Sequence, residues 1–505
     1  MRVLETGNAY SNDGDVLRAI DCCGSALRLD PDSGDAWNNL GNLFLRLNDA
    51  RSAVSCYQNS VRLQPFEAAA HYGLGRSLNL IGRHELALEH LSTASKLNPR
   101  HADTLVNLGN AHHYLGHFEE ALRCFDSALP LSHRPAEVHV NRAMVLLNGG
   151  NFRDGWREFE YRWETPSFRA YKKRPFRNSQ WRGEPLRGKR ILLHGEQGLG
   201  DAIQFSRFIP EVFARGAEIF LEVKAPLKEL MTSLIEPDHI IVLGEPVPKC
   251  DYQCSLISLP YLLGVELGDI QSSPYLKVNE FARAAARCAI ERVADGHSQL
   301  KVGIAWKGNP EHSSDQLRSV IPHQLADLAR TKGVQWYVLQ KDATPEELAG
   351  LLPGLSVTTL PTEHLDGLLA TAAVIQELDL VISVDTVTAH LTGALGKPLW
   401  LLLPAFYEWR WHSHLEDSPW YASARLFRQH EPGNWVHSIA RMASELSLAV
   451  AKRREVCQQE KGSCLGIHLA GAVDERGPKT CCDFPQSHQL KTEFTSESPF
   501  HTELG

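Results

Sequence analysis

The sequence predicts an α-helical repeat array followed by two Rossmann-like α/β domains, and three observations predict it. Glycines recur at a 34-residue step in the first third of the chain, at Gly41, Gly75 and Gly109. From residue 190 short apolar runs alternate with helical patterns, and that alternation restarts near residue 299. Between the two parts lies a basic, aromatic stretch without period, YRWETPSFRAYKKRPFRNSQWRGEPLRGKR. The chain divides accordingly into a repeat array (1–167), a basic linker (168–189), two α/β domains (190–297 and 298–452) and a tail (453–505).

Each element has its own residue signature. In the array, Leu40, Leu74 and Leu108 precede the three glycines, and the same step links Ala53, Ala87 and Ala121, then Tyr57, Leu91 and Phe125. Small residues where two antiparallel helices touch, large ones between them and a proline after the second helix (Pro65, Pro99) make this the tetratricopeptide pattern. Residues 136–169 form a degenerate fourth copy, with Ala143 and Gly155 at the small positions and Arg142 in place of the leucine. Upstream, Gly7, Ala19, Ala26 and Pro31 imply a first unit that begins part-way through its first helix. Stacked helix pairs form a curved surface that suits a protein partner or an extended polypeptide.

Composition narrows the partners. The chain of 505 residues carries 43% hydrophobic and 22% charged residues, ordinary for a globular protein. A net charge of -8, from 60 acidic against 52 basic residues, provides no global basic field and argues against a nucleic-acid binder. No run approaches the roughly 18 apolar residues of a membrane span. The start, MRVLETGNAYSNDGD, has no apolar signal region, so a cytoplasmic location is expected. The eleven cysteines are scattered. Cys22, Cys23, Cys56 and Cys124 fall in helical patterns as small apolar residues, and Cys250 and Cys254 lack a second pair at metal-ligand spacing. No metal is expected.

The basic linker has three readings: a nucleic-acid patch, cations facing a phosphorylated ligand, or a segment that packs Trp163 and Trp181 against the next domain. Beyond it, RILLHG, EIFLEV and HIIVLG read as strands of the first α/β domain, with AIQFSRFIPEVFARG and PLKELMTSL as helices. KVGIAW, VQWYVLQ, LSVTTL, DLVISV and PLWLLLP read as strands of the second. Such alternation implies parallel sheets covered on both faces, with ligands at the carboxyl ends of the strands.

Two strand ends carry chemistry. HGEQGLGDAIQ begins at His194, and its glycines (Gly195, Gly198, Gly200) are in the wrong order for the dinucleotide fingerprint, with no Lys-Ser/Thr of a phosphate loop after them. Asp201 at the helix start would repel a phosphate. It serves either as a helix cap reaching Gln204 or as a general base in a pocket bounded by Gly198, Gly200 and Gln204. SVDTVTAH suits an anion better, because Thr386 and His390 lie four apart near a helix N-terminus that Asp385 precedes. The structural alternative is that Asp385 or Thr386 caps and His390 packs. Lys307, Asn309 and Arg318 follow the strand KVGIAW, and Gln340 and Lys341 end the strand VQWYVLQ.

Together, WRGEPLRGKRILLHGEQGLGDAIQFSRFIP, VGIAWKGNP, VISVDTVTAHLTGALGKPLWLLLP and DSPWYASARLFRQ resemble bacterial tetratricopeptide-repeat glycosyltransferases whose catalytic region is similar to glycosyltransferase family 9, the heptosyltransferase type. The resemblance spans about residues 34–450. It implies a GT-B fold, a nucleotide-activated sugar donor as co-substrate, inversion at the anomeric carbon, and no metal or other cofactor. It places the family's base on Asp201 and its diphosphate contacts on Asp385, Thr386 and His390. Its cation falls on Lys307 or Arg318. By their places at strand ends, Asn309 and Gln340 would flank the donor; the family has no fixed acceptor, and a protein or a glycan is expected here. The rival reading is a non-catalytic scaffold with a degenerate sugar-nucleotide fold. In the tail, Cys457, Cys464, Cys481 and Cys482 with His468 and His488 match no standard metal spacing, and disorder is expected there.

Overall fold

The computed structural model describes residues 10, 14–168, 178–293, 299–309, 315–351, 357–360, 365–405, 409–412 and 415–468. Met1–Arg454 forms one compact unit. It opens with helix α1 (Val16–Leu29), followed by four antiparallel pairs. The pairs are α2 (Gly34–Arg46) with α3 (Ala50–Leu63), α4 (Ala68–Leu80) with α5 (His84–Leu97), α6 (Ala102–Tyr114) with α7 (Phe118–Ala128), and α8 (Pro135–Asn148) with α9 (Phe152–Phe159).

The glycine step has a contact behind it. A Cβ on Gly41 would lie 2.8 Å from the Tyr57 ring, one on Gly75 2.5 Å from Leu91, and one on Gly109 2.7 Å from Phe125. In each pair the large residue of the second helix therefore rests on bare backbone of the first. The inter-helix turns share a second step: Asn48, Gly82, Gly116 and Gly150 all have positive φ, between 59° and 82°. Asparagine is among the few non-glycine residues that tolerate that region. In the fourth pair Arg142, standing where the leucine would be, forms ion pairs with Glu158 at 3.2 Å and Asp126 at 3.2 Å.

The α/β part holds two parallel sheets. The first has five strands in the order β1-β5-β2-β3-β4: β1 (Ser179–Gln180), β2 (Arg190–His194), β3 (Glu218–Val223), β4 (Ile240–Val242) and β5 (Tyr252–Ser255). The second has six in the order β11-β10-β9-β6-β7-β8: β6 (Leu300–Ala305), β7 (Val334–Val338), β8 (Val357–Thr358), β9 (Leu380–Val384), β10 (Leu399–Leu403) and β11 (Ala424–Arg428). Strand order reverses between β2 and β5 in one sheet and between β6 and β9 in the other. These are the points where open parallel sheets leave a crevice at the carboxyl ends of their strands. Helix α10 (Leu199–Ser206) follows β2, α11 (Glu280–Val293) leads to the second sheet, and α12 (Leu368–Gln376) precedes β9. Helix α13 (Val387–Ala394) follows β9, and α14 (Val436–His468) comes last.

Several expectations need correction. The segment taken as a linker supplies β1, which pairs with β5, and Trp181 and Leu186 are buried in the main core, so sheet architecture begins at 179 rather than 190. Trp181 thus packs as the third reading required; residues 169–177 of the basic stretch lie outside the described residues. The last repeat pair joins this core as well. Phe152 and Trp156 of α9 sit in the same core as Trp181, Phe205, Trp409 and Trp420. Helix α14 runs on past 452, where the tail was expected to begin; Cys481, Cys482 and His488 lie outside the described residues. Among the described residues, no helix is long and apolar enough to cross a membrane, and no group of three metal-ligating side chains occurs.

Candidate functional site

The two switch points face each other. Gly200, in the first turn of α10, stands against His390 of α13, so closely that a Cβ at 200 would lie 2.6 Å from the imidazole Cδ2. The glycine makes room for a side chain of the other sheet's helix, not for an acceptor. Gln204 does not line an open acceptor pocket either. It is fully buried, and its Oε1 accepts from Arg410 Nε at 2.5 Å.

Asp201 does two jobs. Helix α10 starts at Leu199 with Gly198 as its N-cap, so Asp201 is the third helical residue. Its Oδ2 accepts the Gly198 N–H at 2.8 Å, whereas the expected cap ran forward to Gln204. That bond, the one half of a capping box that a glycine N-cap allows, satisfies one of the four orphan amides of a helix start. Its Oδ1 forms an ion pair with Arg410. Arg410 lies on the turn Trp409–Trp411, beyond the carboxyl end of β10, and is buried.

On the other side of that contact, Thr386 is the N-cap of α13 and its hydroxyl accepts from the Thr388 N–H at 3.2 Å. Asp385 and His390 lie beside it, with His390 Nε2 3.8 Å from Asp385 Oδ1 and His390 Nδ1 2.9 Å from the Tyr421 hydroxyl. The imidazole stacks on Trp411 at a centroid distance of 5.6 Å. Burial, reinforced by Arg410, Arg207 and Arg318, holds the His390 pKa well below its ordinary value, so the ring is neutral. Burial pushes the Asp385 carboxyl up; Arg410 and Arg318 oppose that and Asp201 adds to it.

The remaining candidates separate. Lys307 Nζ is held by Glu347 at 2.9 Å and by the Asp342 carbonyl at 3.1 Å, and Lys307 N–H donates to Gln340 Oε1 at 3.2 Å. Burial disfavours its charge, but Glu347 and Asp342 outweigh this and raise its pKa. Gln340 in turn donates to Asp342 at 2.6 Å. Lys307 and Gln340 therefore belong to a local network at the β6 and β7 ends. Arg318 pairs with Asp315 at 3.1 Å, yet its charge acts on both Asp385 and His390. Asn309 is exposed at the mouth of the β6 loop.

Two arginines escaped the sequence reading. Arg410 sits in EWRWH at a strand's carboxyl end, the criterion that singled out Lys307, and it was hidden by the tryptophans around it. Arg207 ends α10, donates to the Trp420 carbonyl at 2.7 Å, and lies 4.8–5.1 Å from the ring centroids of Tyr275, Trp420 and Tyr421. A third buried arginine, Arg162, follows α9 and reaches Glu196 in the loop after β2 at 2.8 Å and Ser258 at 2.7 Å. It fixes the HGEQGLGD loop from the repeat side.

Models of the tetratricopeptide repeat match residues 4–50, 34–67 and 66–132. Protein FlbA of Caulobacter vibrioides is 28% identical over 328 residues, 60% of this chain and 54% of that protein, so the chain spans about half the length of this relative. Among solved structures, YrrB, described as a TPR protein with an unusual peptide-binding site, is 20% identical over 34% of this chain and 90% of its own, with a TM-score of 0.30. A thermophilic TPR protein of Thermus thermophilus, TTC0263, is 20% identical over 34% of this chain and 95% of its own, with a TM-score of 0.29. The N-terminal array is thus a set of tetratricopeptide repeats, joined to two parallel-sheet α/β regions.

Proposed function

We propose that the protein is an inverting glycosyltransferase of the GT-B type, moving a sugar from a nucleoside-diphosphate donor to a hydroxyl of a polypeptide or glycan. The repeats present that acceptor or dock a protein partner. One observation carries the reading: two strand-end turns, one from each sheet's switch point, meet face to face. One holds a carboxylate, and the other holds a helix N-terminus with a neutral histidine and arginines.

In this reading the donor's diphosphate lies at the start of α13, where the backbone amides, the Thr386 hydroxyl, His390 and Arg318 stabilise the departing charge. Asp201 takes the proton of the acceptor hydroxyl as its oxygen attacks the anomeric carbon. Lys307, bound by Glu347, steadies the β6 and β7 ends instead of meeting phosphate. No metal has a role.

The test is a panel of UDP-, GDP- and ADP-sugars, scored for donor hydrolysis or transfer and for binding by thermal shift. Turnover with one donor is expected, and Asp201→Asn should slow it about 10²–10⁴-fold while donor binding persists. Neither turnover nor nucleotide binding would sink the proposal. The scaffold reading draws on the fact that both Asp201 oxygens are engaged, by Gly198 and by Arg410. It predicts that Asp201→Asn changes stability alone.

A further inference from the structure

We propose that Arg410 is a charge switch: its guanidinium holds Asp201 until a nucleoside diphosphate draws it to the phosphates, leaving Asp201 able to accept the acceptor's proton. This rests on the donor reading above and adds to it a residue, Arg410, that ties the base to donor occupancy.

The geometry places Arg410 between the two halves of the chemistry. On one side it binds Asp201 Oδ1 and Gln204 Oε1, both on α10. On the other its chain neighbour Trp411 stacks on His390 at 5.6 Å, which sets Arg410 beside the start of α13, where the diphosphate would lie, and its charge acts there on Asp385 and His390. Its backbone is fixed, because Trp409 packs edge-on against Trp156 at 5.1 Å and Trp420 at 5.8 Å, and Trp411 stacks on His390. With the backbone held, a change of partner for Arg410 is a rotation of its side chain, whose guanidinium lies over the Trp409 ring at 4.7 Å. While Arg410 occupies Oδ1 and the Gly198 N–H occupies Oδ2, both oxygens of Asp201 already have a donor, and an acceptor hydroxyl must displace one of them. A diphosphate offers the guanidinium more charge and more oxygens in the same fork geometry than one carboxylate does.

Atoms and electrons balance in the step. The acceptor oxygen forms a bond to the anomeric carbon while the bond from that carbon to the phosphate oxygen breaks. The electron pair leaves on the diphosphate, beside Arg410 and Arg318. The hydroxyl proton goes to Asp201 Oδ1, the oxygen that Arg410 gave up.

The competition leaves a signature that a merely structural arginine would not. UDP, GDP and ADP are titrated calorimetrically into the full chain and its variants. With the nucleotide that binds, Arg410→Gln should weaken affinity about tenfold or more, and Asp201→Asn should tighten it about threefold or more, because the competitor for Arg410 is gone. The double variant should bind no more tightly than Arg410→Gln alone. Arg410→Lys should recover part of the affinity; it takes the place of Arg410→Gln if that variant fails to melt cooperatively. Binding to the wild type that Asp201→Asn leaves unchanged or weakens overturns the switch while the donor reading stands. Absence of any binding to the wild type overturns the donor reading itself.

Discussion

The turn after β2 and the turn after β9 each border the switch point of their sheet, yet they finish their helices differently. After β2 the helix start is closed by its own carboxylate, with Asp201 bound back to the Gly198 N–H. After β9 the cap is a hydroxyl, Thr386, and burial raises the pKa of the neighbouring acid, Asp385. One helix start is already neutralised and the other still favours an anion. Two turns built alike thus differ in the group that closes the helix start, a carboxylate in one and a hydroxyl in the other.

Four substitutions test that contrast. Gly200→Ala puts a methyl 2.6 Å from His390 Cδ2. It should cost about 1–3 kcal/mol in stability, read as a fall in melting temperature. An unchanged melting temperature would mean that the turns do not meet in solution. Next, Arg318→Met should weaken nucleoside-diphosphate binding about tenfold, or about 1.4 kcal/mol, while Lys307→Met leaves it within about twofold. The reverse order would return the phosphate cation to Lys307. The smallest effect is expected from Thr386→Ala, which should lower stability by about 0.5–2 kcal/mol through loss of the cap. A fall in donor affinity larger than the stability loss would show that the hydroxyl also meets phosphate.

The legible parts of the sequence were those where one residue type has one physical use. Gly41, Gly75 and Gly109 can only be small, because Tyr57, Leu91 and Phe125 lie on them, so a 34-residue period survives in plain text. Strands β2, β6 and β9 are short, apolar and β-branched, and they were read correctly. Strand β5, Tyr-Gln-Cys-Ser, has no β-branched residue; its position between β1 and β2 is set by tertiary pairing. Asp201, Asp385, Thr386 and His390 were identifiable because strand ends converge in such sheets. Their partners were not. That Gly200 faces His390, or that Arg410 binds Asp201 from a point 209 residues away, depends on how two sheets are set against each other, which no local pattern encodes. Lys307 and Arg318 looked alike as single cations after a strand, and each is paired with a carboxylate, Glu347 and Asp315; what separates them is that the Arg318 charge acts on Asp385 and His390.

Phe152 and Trp156 decide which part of the array can vary. Helices α1 to α7 touch chiefly their neighbours, so that stretch can gain or lose units, or change its surface, without disturbing anything distant. The last pair has no such licence: Trp156 meets Phe205 at 5.8 Å and Trp409 at 5.1 Å, and Asn148 offers its carbonyl to His412 at 3.1 Å. The degenerate fourth copy, with Arg142 instead of leucine, is thus a splice between two architectures. Recognition can diversify at the outer repeats while the inner one is conscripted into the α/β core.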